Sequence, residues 1–177
     1  MNLILRSEGA GDAPAIARVN TEAFGQTNEA RLIERMRETP EFDPDLSIVA
    51  EEDGAIVGHV LFSRIAIVSS DGDRIPAIAL APVAVLPDRQ KQGIGTSLIE
   101  EGIRRCHRKG EKIIVVLGPA GYYPRFRFVP AQDHGITAPF DAPEATFMVL
   151  ALEPHALIGV AGTVEYPAPF LAATGQS

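Results

Sequence analysis

Apolar positions along the 177-residue chain change period several times, and each change marks an element. "NLILR" (Asn2 to Arg6) is a short apolar run that predicts a first strand. Asp12 stands before Ala13 and Pro14, an N-cap acceptor followed by proline in the first turn of a helix. That helix would carry Ile16, Val19 and Phe24 on one side. In "NEARLIERMRET" Leu32, Ile33 and Met36 share a helical face, and Pro40 and Pro44 close the segment. Strand-like runs follow. "LSIVAEE", "IVGHVLFSRIAIV" and "RIPAIALAPVAVLP" are separated by Asp53-Gly54 and Asp71-Gly72, and Asp-Gly between apolar runs is a strong hairpin signal. Ile94, Leu98, Ile99, Ile103 and Cys106 then recur at helical spacing up to Gly110, a glycine stop. "KIIVVLG" is continuously apolar, as a strand buried on both faces is. "AGYYPRFRF" predicts a short helical or turn segment, and "TFMVLALE" is the clearer member of a last strand pair.

Residues 155–177 are apolar but punctuated by Pro and Gly, which predicts a tail packed on a core of residues 1–154. With no internal repeat or linker, a chain of this length reads as one domain over residues 1–177.

Composition removes several classes of partner. The net charge of −7 works against a nucleic-acid partner, whose phosphates are neutralised by Lys and Arg. No stretch approaches the ~20 apolar residues that span a bilayer, so no membrane partner is expected. The apolar run at the N-terminus is too short for a signal peptide, and the expected location is the cytoplasm. Cys106 is the single cysteine; it excludes an intrachain disulfide and a cysteine metal site, and its place on an apolar helix face makes it an inert buried thiol. No metal is expected.

The chemistry concentrates at "VLPDRQKQGIGTSLIEEGI", where a strand runs into a glycine turn and then a helix. The first N–H groups of a helix lack internal partners and the helix dipole adds partial positive charge, so such a turn can hold an anion. Gln92, Gly93, Ile94, Gly95 and Thr96 offer backbone donors, and Gln90 with Arg89 and Lys91 offers side chains. A plain strand–helix connection is the competing account of the two glycines. The dinucleotide fingerprint G-x-G-x-x-G fails at Leu98, and the phosphate loop G-x-x-x-x-G-K-[ST] is absent.

The flanks of this turn resemble a known family. "LAPVAVLPDRQKQGIGTSLI", with its strand, Q-x-x-G-x-G and helix, is similar to the acyl-CoA motif of the GNAT superfamily of N-acetyltransferases. The spacing of Tyr123 to Phe128 matches that family's Y-x-x-x-x-F pattern. "GHVLFS", "YYPRFRFVPA", "FMVLAL" and "GTVEYPAPF" resemble its YhbS-like bacterial branch. The resemblance implies an α/β fold of the α+β type, a single GNAT-like domain with a mixed, mostly antiparallel sheet flanked by helices. Its fourth and fifth strands would splay to hold acyl-CoA, and Pro82, which cannot donate to a sheet ladder, suits that splay.

By the same resemblance, acetyl-CoA is the acyl donor. Val83, Ala84 and Val85 supply backbone contacts to it, and Gln90, Lys91, Gln92, Gly93, Ile94, Gly95 and Thr96 seat its pyrophosphate. Tyr123 takes the general-acid position: a phenol with reference pKa near ~10 stays protonated at neutral pH and can protonate a departing thiolate. No carboxylate stands between Ile75 and Pro87, where many relatives carry a glutamate. His59 is a candidate base or substrate contact and Glu22 lies where the family often places acceptor residues, with a structural histidine and a solvated carboxylate as their ordinary accounts; a water-mediated base is the further candidate. Arg127 stands where relatives have Gly and Pro124 where many have Glu, which predicts a short or distorted helix after the fifth strand. The acceptor is an amine of a small molecule or a protein. An acyl-CoA binding module without turnover is the alternative. The apolar tail "LIGVAGTVEYPAPF" would cover either its own core or a second copy in a homodimer.

Overall fold

The computed structural model describes residues 2–143 and 145–173; residues 174–177 of the expected tail lie outside the described residues. The strands are β1 (Leu3–Ser7), β2 (Ser47–Glu52), β3 (Ala55–Val68), β4 (Arg74–Val85), β5 (Ile113–Leu117), β6 (Val129–Pro130), β7 (Ile136–Thr137), β8 (Phe147–Ala151) and β9 (Gly162–Glu165). The helices are α1 (Ala13–Phe24), α2 (Asn28–Met36), α3 (Ile94–Arg108) and α4 (Ala168–Ala173). Hydrogen-bonded neighbours run in the order β1-β2-β3-β4-β5-β8-β6, with β9 joined to β3 and β7. β4 and β5 are parallel; the pairs β1–β2, β2–β3, β5–β8, β6–β8 and β3–β9 are antiparallel. This is a mixed α/β sheet fold, with α helices before and within the strand series.

The chain divides into two compact units. The first comprises Met1–Ser63, Pro82–Arg105 and Pro167–Ser177; the second comprises Arg64–Ala81 and Cys106–Tyr166. In the first, β1 and β2 pair from Leu3↔Glu52 to Ser7↔Ile48, and the Asp53-Gly54 turn carries β2 into β3 with φ of 50° and 80°. Consecutive residues of β3 point to opposite faces. His59 meets Asn20 of α1, whereas Gly58 faces Ile94 and Leu98 of α3, so the two helices lie on opposite sides of this strand. Ile16 and Val19 of α1 and Leu32, Ile33 and Met36 of α2 are buried, and α4 packs on α2 with Phe170 buried.

In the second unit, Ile65, Ile67, Ala77, Ala79, Val115 and Val149 share one core cluster. All but the last residue of β5 is buried, as its unbroken apolar run predicts. The segment after His155 is not a simple tail: it adds β9 beside β3 in this unit and α4 in the other.

Several local expectations change. Asp12 flanks α1 but makes no side-chain cap; its carboxylate is held by Arg6 at 2.6 Å and by the N–H of Gly9 at 2.6 Å. A charged donor outcompetes the helix N–H groups here. Phe24 is 42% exposed, and Asn20 takes the third buried place on α1 instead. Ile103 is half-buried because Gly102 fills the inward position on α3. Late on α3 the basic side chains are not all turned to solvent. Arg105 binds Glu101 at 2.7 Å, Ser7 at 2.7 Å and the carbonyl of Asp45 at 2.9 Å, tying α3 to the start of the chain.

Candidate active site

The turn between β4 and α3 lies in the first unit. β4 pairs with β5 only at Ile78↔Ile114 and Ala79↔Val115. Beyond that point Pro82 has no N–H to donate, and Val83, Ala84 and Val85 continue as strand, alternately half-buried and buried. The N–H of Leu86 bonds the carbonyl of Val57 at 2.9 Å, and a 3-10 turn over Pro87–Arg89 leads into the glycines.

Two residues of the turn adopt left-handed backbone: Lys91 at φ 62° and Gly93 at φ 87°. For glycine this conformation carries no steric penalty, but for lysine it costs about 1–2 kcal/mol. Strain held in a ligand clamp is a recurrent functional device. A Cβ on Gly93 would meet no atom within 4 Å, so the space above the turn is open. α3 begins at Ile94, with the N–H of Ser97 bonded to the carbonyl of Gly93 at 3.0 Å. The N–H groups at the head of this fifteen-residue helix are an anion-binding feature.

The side chains of the turn brace it. The amide of Gln90 donates to the carbonyl of Val85 at 3.0 Å, and that of Gln92 donates to the carbonyl of Asp88 at 3.4 Å. Arg89 forms an ion pair with Glu52, a partner that sequence reasoning missed because it lies at the far end of β2. Lys91 and Gln92 are exposed, and Gly95 and Thr96 are half-buried.

Tyr123 belongs to the second unit and opens a single 3-10 turn over Tyr123–Phe126, the shortened helix that Pro124 and Arg127 predict. Arg127 caps it at φ 73°, so the position where relatives have glycine is one that asks for glycine. The Tyr123 ring is buried among aromatics, edge-on to Tyr122 at 5.1 Å and to Phe128 at 5.8 Å. Burial, with a smaller repulsion from Tyr122, pushes its phenol up to about 12, so it carries its proton at neutral pH. Any side chain on Gly118 would overlap this ring. That is the reason for a glycine at the end of "KIIVVLG", and its place directly after the strand was the only sign of it.

His59 is no base. It is fully buried, and burial, aided by the positive charge of Arg37, pulls its pKa down to about 3. The Asn20 amide nitrogen is a donor and lies 3.3 Å from Nδ1, so Nδ1 accepts and the proton sits on Nε2. Nε2 donates to Ser47 Oγ at 2.9 Å. The Ser47 hydroxyl donates to Glu8 at 2.5 Å, and Glu8 is held by Arg37 at 2.8 Å. Both ring nitrogens are therefore committed to a structural relay. Glu22 is half exposed and pairs with Arg18 at 3.8 Å. Cys106 is fully buried, as expected of an inert thiol. Among the described residues no helix is long and apolar enough to cross a membrane.

The family profile of the acetyltransferase (GNAT) domain matches residues 5–131. The chain is 40% identical over 154 residues to an uncharacterized N-acetyltransferase of Escherichia coli K12, YjhQ, covering 84% of each chain. It is 30% identical over 164 residues to a second such protein of that strain, YhbS, covering 93% of this chain and 96% of the relative. The crystal structure of Escherichia coli YhbS in complex with CoA superimposes with a TM-score of 0.88 at 32% identity, over 96% of this chain and 92% of that one. A GNAT family acetyltransferase from Brucella melitensis in complex with acetyl-CoA gives a TM-score of 0.78 at 34% identity, over 96% and 98%.

Proposed function

The chain belongs to the GNAT family of acetyltransferases, and from that premise we propose that it transfers the acetyl group of acetyl-CoA to a primary amine by direct attack in a ternary complex. The observation that carries this reading is the turn from Pro87 to Thr96. Its left-handed Lys91 and Gly93, its open approach and its helix head fit a pyrophosphate. In this reading Gln90 to Thr96 seat the phosphates. Val83, Ala84 and Val85, on the stretch of β4 past its pairing with β5, bond the pantetheine arm and give one N–H to the thioester oxygen.

The amine nitrogen attacks the thioester carbon; the C–N bond forms and the C–S bond breaks. Tyr123 gives its proton to the leaving sulfur and is reprotonated from solvent, and the proton of the attacking amine passes to water. Tyr123 carries its proton at neutral pH, as a proton donor must. The commitment of both His59 nitrogens supports water as the proton acceptor. Full burial of Cys106 counts against an acyl-enzyme route through that thiol. The net charge of −7 favours a cationic acceptor through steering.

A second reading, an acyl-CoA binding module without turnover, is favoured by the lack of a carboxylate on β4. Thermal unfolding with acetyl-CoA, CoA and NAD side by side tests the binding claim. A ligand at about 100 times its Kd adds roughly 2.7 kcal/mol, so both CoA forms should shift the transition and NAD should not. Tyr123→Phe separates the two readings. Turnover with an amine should fall by about 10² or more while CoA affinity stays unchanged, whereas the binding module shows no turnover in either form. An unchanged kcat in Tyr123→Phe removes the phenol from the mechanism.

A further inference from the structure

We propose that Gly58 of β3 is a positioning residue for the cofactor turn, its missing side chain setting how closely both arms of the turn seat on the β2–β3 hairpin. This rests on the reading of Gln90 to Thr96 as the pyrophosphate seat. The two glycines concerned are required for different reasons. Gly93 has left-handed backbone and open space around it, whereas Gly58 has backbone that any residue adopts and tight surroundings that must give by a few tenths of an ångström to admit a Cβ.

A Cβ on Gly58 would lie 3.0 Å from Leu98 Cδ1, 3.1 Å from Ile94 Cγ2 and 3.3 Å from the carbonyl oxygen of Ala84. Those contacts fall on the two arms of the turn. Ala84 lies on the strand that leads in, and Ile94 and Leu98 form the first turn of the helix that leads out. The same hairpin holds the turn at two more points, through Leu86 N–H to the Val57 carbonyl at 2.9 Å and through the Glu52–Arg89 ion pair. The strand and helix head are thus fixed to one scaffold, and Gly58 sits where both press on it. Close-packed interiors transmit such a displacement rather than absorb it. One added methyl moves the N–H groups of the helix head and the backbone of Val83–Val85 together, while the 3-10 turn carrying Tyr123 keeps its own aromatic packing.

The test is Gly58→Ala, measured for acetyl-CoA Kd by calorimetry and for KM and kcat at saturating acceptor. Kd and KM should rise roughly tenfold, and kcat should fall as well, because the backbone that serves the thioester oxygen moves with the turn. Leu98→Val removes the atom that the new methyl meets first, and in the Gly58→Ala background it should recover part of the affinity but not all of it, because Ile94 Cγ2 and the Ala84 carbonyl still meet the methyl. A purely structural glycine would lower the thermal midpoint and the active fraction while leaving the Kd of the folded protein unchanged, and that result overturns the proposal. Should Gly58→Ala alone not fold, the double variant is compared with Leu98→Val alone, and equal Kd values overturn it likewise. Gly93→Ala keeps this failure apart from that of the underlying reading. If it weakens CoA binding and Gly58→Ala does not, only the positioning role is lost. If neither variant changes the Kd, the cofactor does not sit at this turn.

Discussion

Acid should destabilise this protein through His59 well above the pH at which its carboxylates are protonated. In the folded chain the ring titrates near 3, because burial removes it from water and Arg37 repels its charged form; the reference value is 6.5. Between those values the unfolded chain binds a proton that the folded chain refuses, so stability rises with pH across the window. The contribution is complete above about 6.5 and is lost as pH falls toward 3, at up to about 1.4 kcal/mol per pH unit. At pH 5 the loss is about 2 kcal/mol, a large share of a typical net stability of about 5–15 kcal/mol. Asp12 acts in a lower window. The hydrogen bond from Arg6 holds its carboxyl below the reference value of 3.8, so its contribution is present above that value and lost below it. Urea unfolding at pH 7.5, 6 and 5 measures the effect, with His59→Gln as the comparison. Glutamine keeps a polar group for Ser47 but does not titrate. Its baseline should drop by about 1–3 kcal/mol for the disturbed relay, and its loss between pH 7.5 and 5 should be about 2 kcal/mol smaller than in the parent. Equal slopes for the two proteins would refute the account of a neutral, proton-refusing His59.

Two left-handed positions make a paired prediction. Arg127→Gly and Lys91→Gly each relieve a φ that suits glycine, at 73° and 62°, and each should add about 1 kcal/mol, or roughly 2–4 °C in Tm. They should part in function, Lys91→Gly weakening acetyl-CoA in a salt-dependent way and Arg127→Gly leaving its affinity alone; identical CoA affinities would remove Lys91 from the phosphate contacts. Gly102→Ala should cost roughly 1–3 kcal/mol in urea unfolding because its methyl would overlap the fully buried Phe62 ring. Phe62→Leu in the same chain should return part of that loss, and additive effects would mean that α3 yields instead of the ring.

What could be read from the sequence was whatever local chemistry decides. The Asp53-Gly54 turn, the helix face of Ile94, Leu98 and Cys106, and the unbroken burial of Ile113–Val116 each follow from periodicity or backbone preference within a few residues. The shape of the glycine turn was legible for the same reason, since a strand, a glycine bend and a helix head form within a few residues. Legibility failed where a distant charged group intervened. Asp12 reads as a cap until Arg6, itself held by Glu51 on the neighbouring strand, claims it. His59 reads as a titratable group near neutrality until Asn20, Ser47 and Arg37, from three other elements, bury and surround it. Arg89 reads as a phosphate ligand until β2 delivers Glu52.

Gly58 and His59 bring these two cases together. They are neighbours in sequence, and because side chains alternate along a strand they serve opposite faces of β3. On one face an absent side chain lets α3 and Ala84 close in on the strand. On the other, a neutral imidazole links α1, β2 and the Glu8–Arg37 pair. Neither role can be inferred from "VGHV" itself, because the atoms that define them lie between about 12 and 40 positions away. The arrangement separates the variables for experiment. A change at residue 58 presses on the cofactor turn and should appear in acetyl-CoA affinity, whereas a change at residue 59 alters proton uptake on unfolding and should appear in the pH dependence of stability. Crossed effects, with His59→Gln altering CoA affinity and Gly58→Ala altering the pH slope, would mean that the strand moves as one body and that the two faces are not independent.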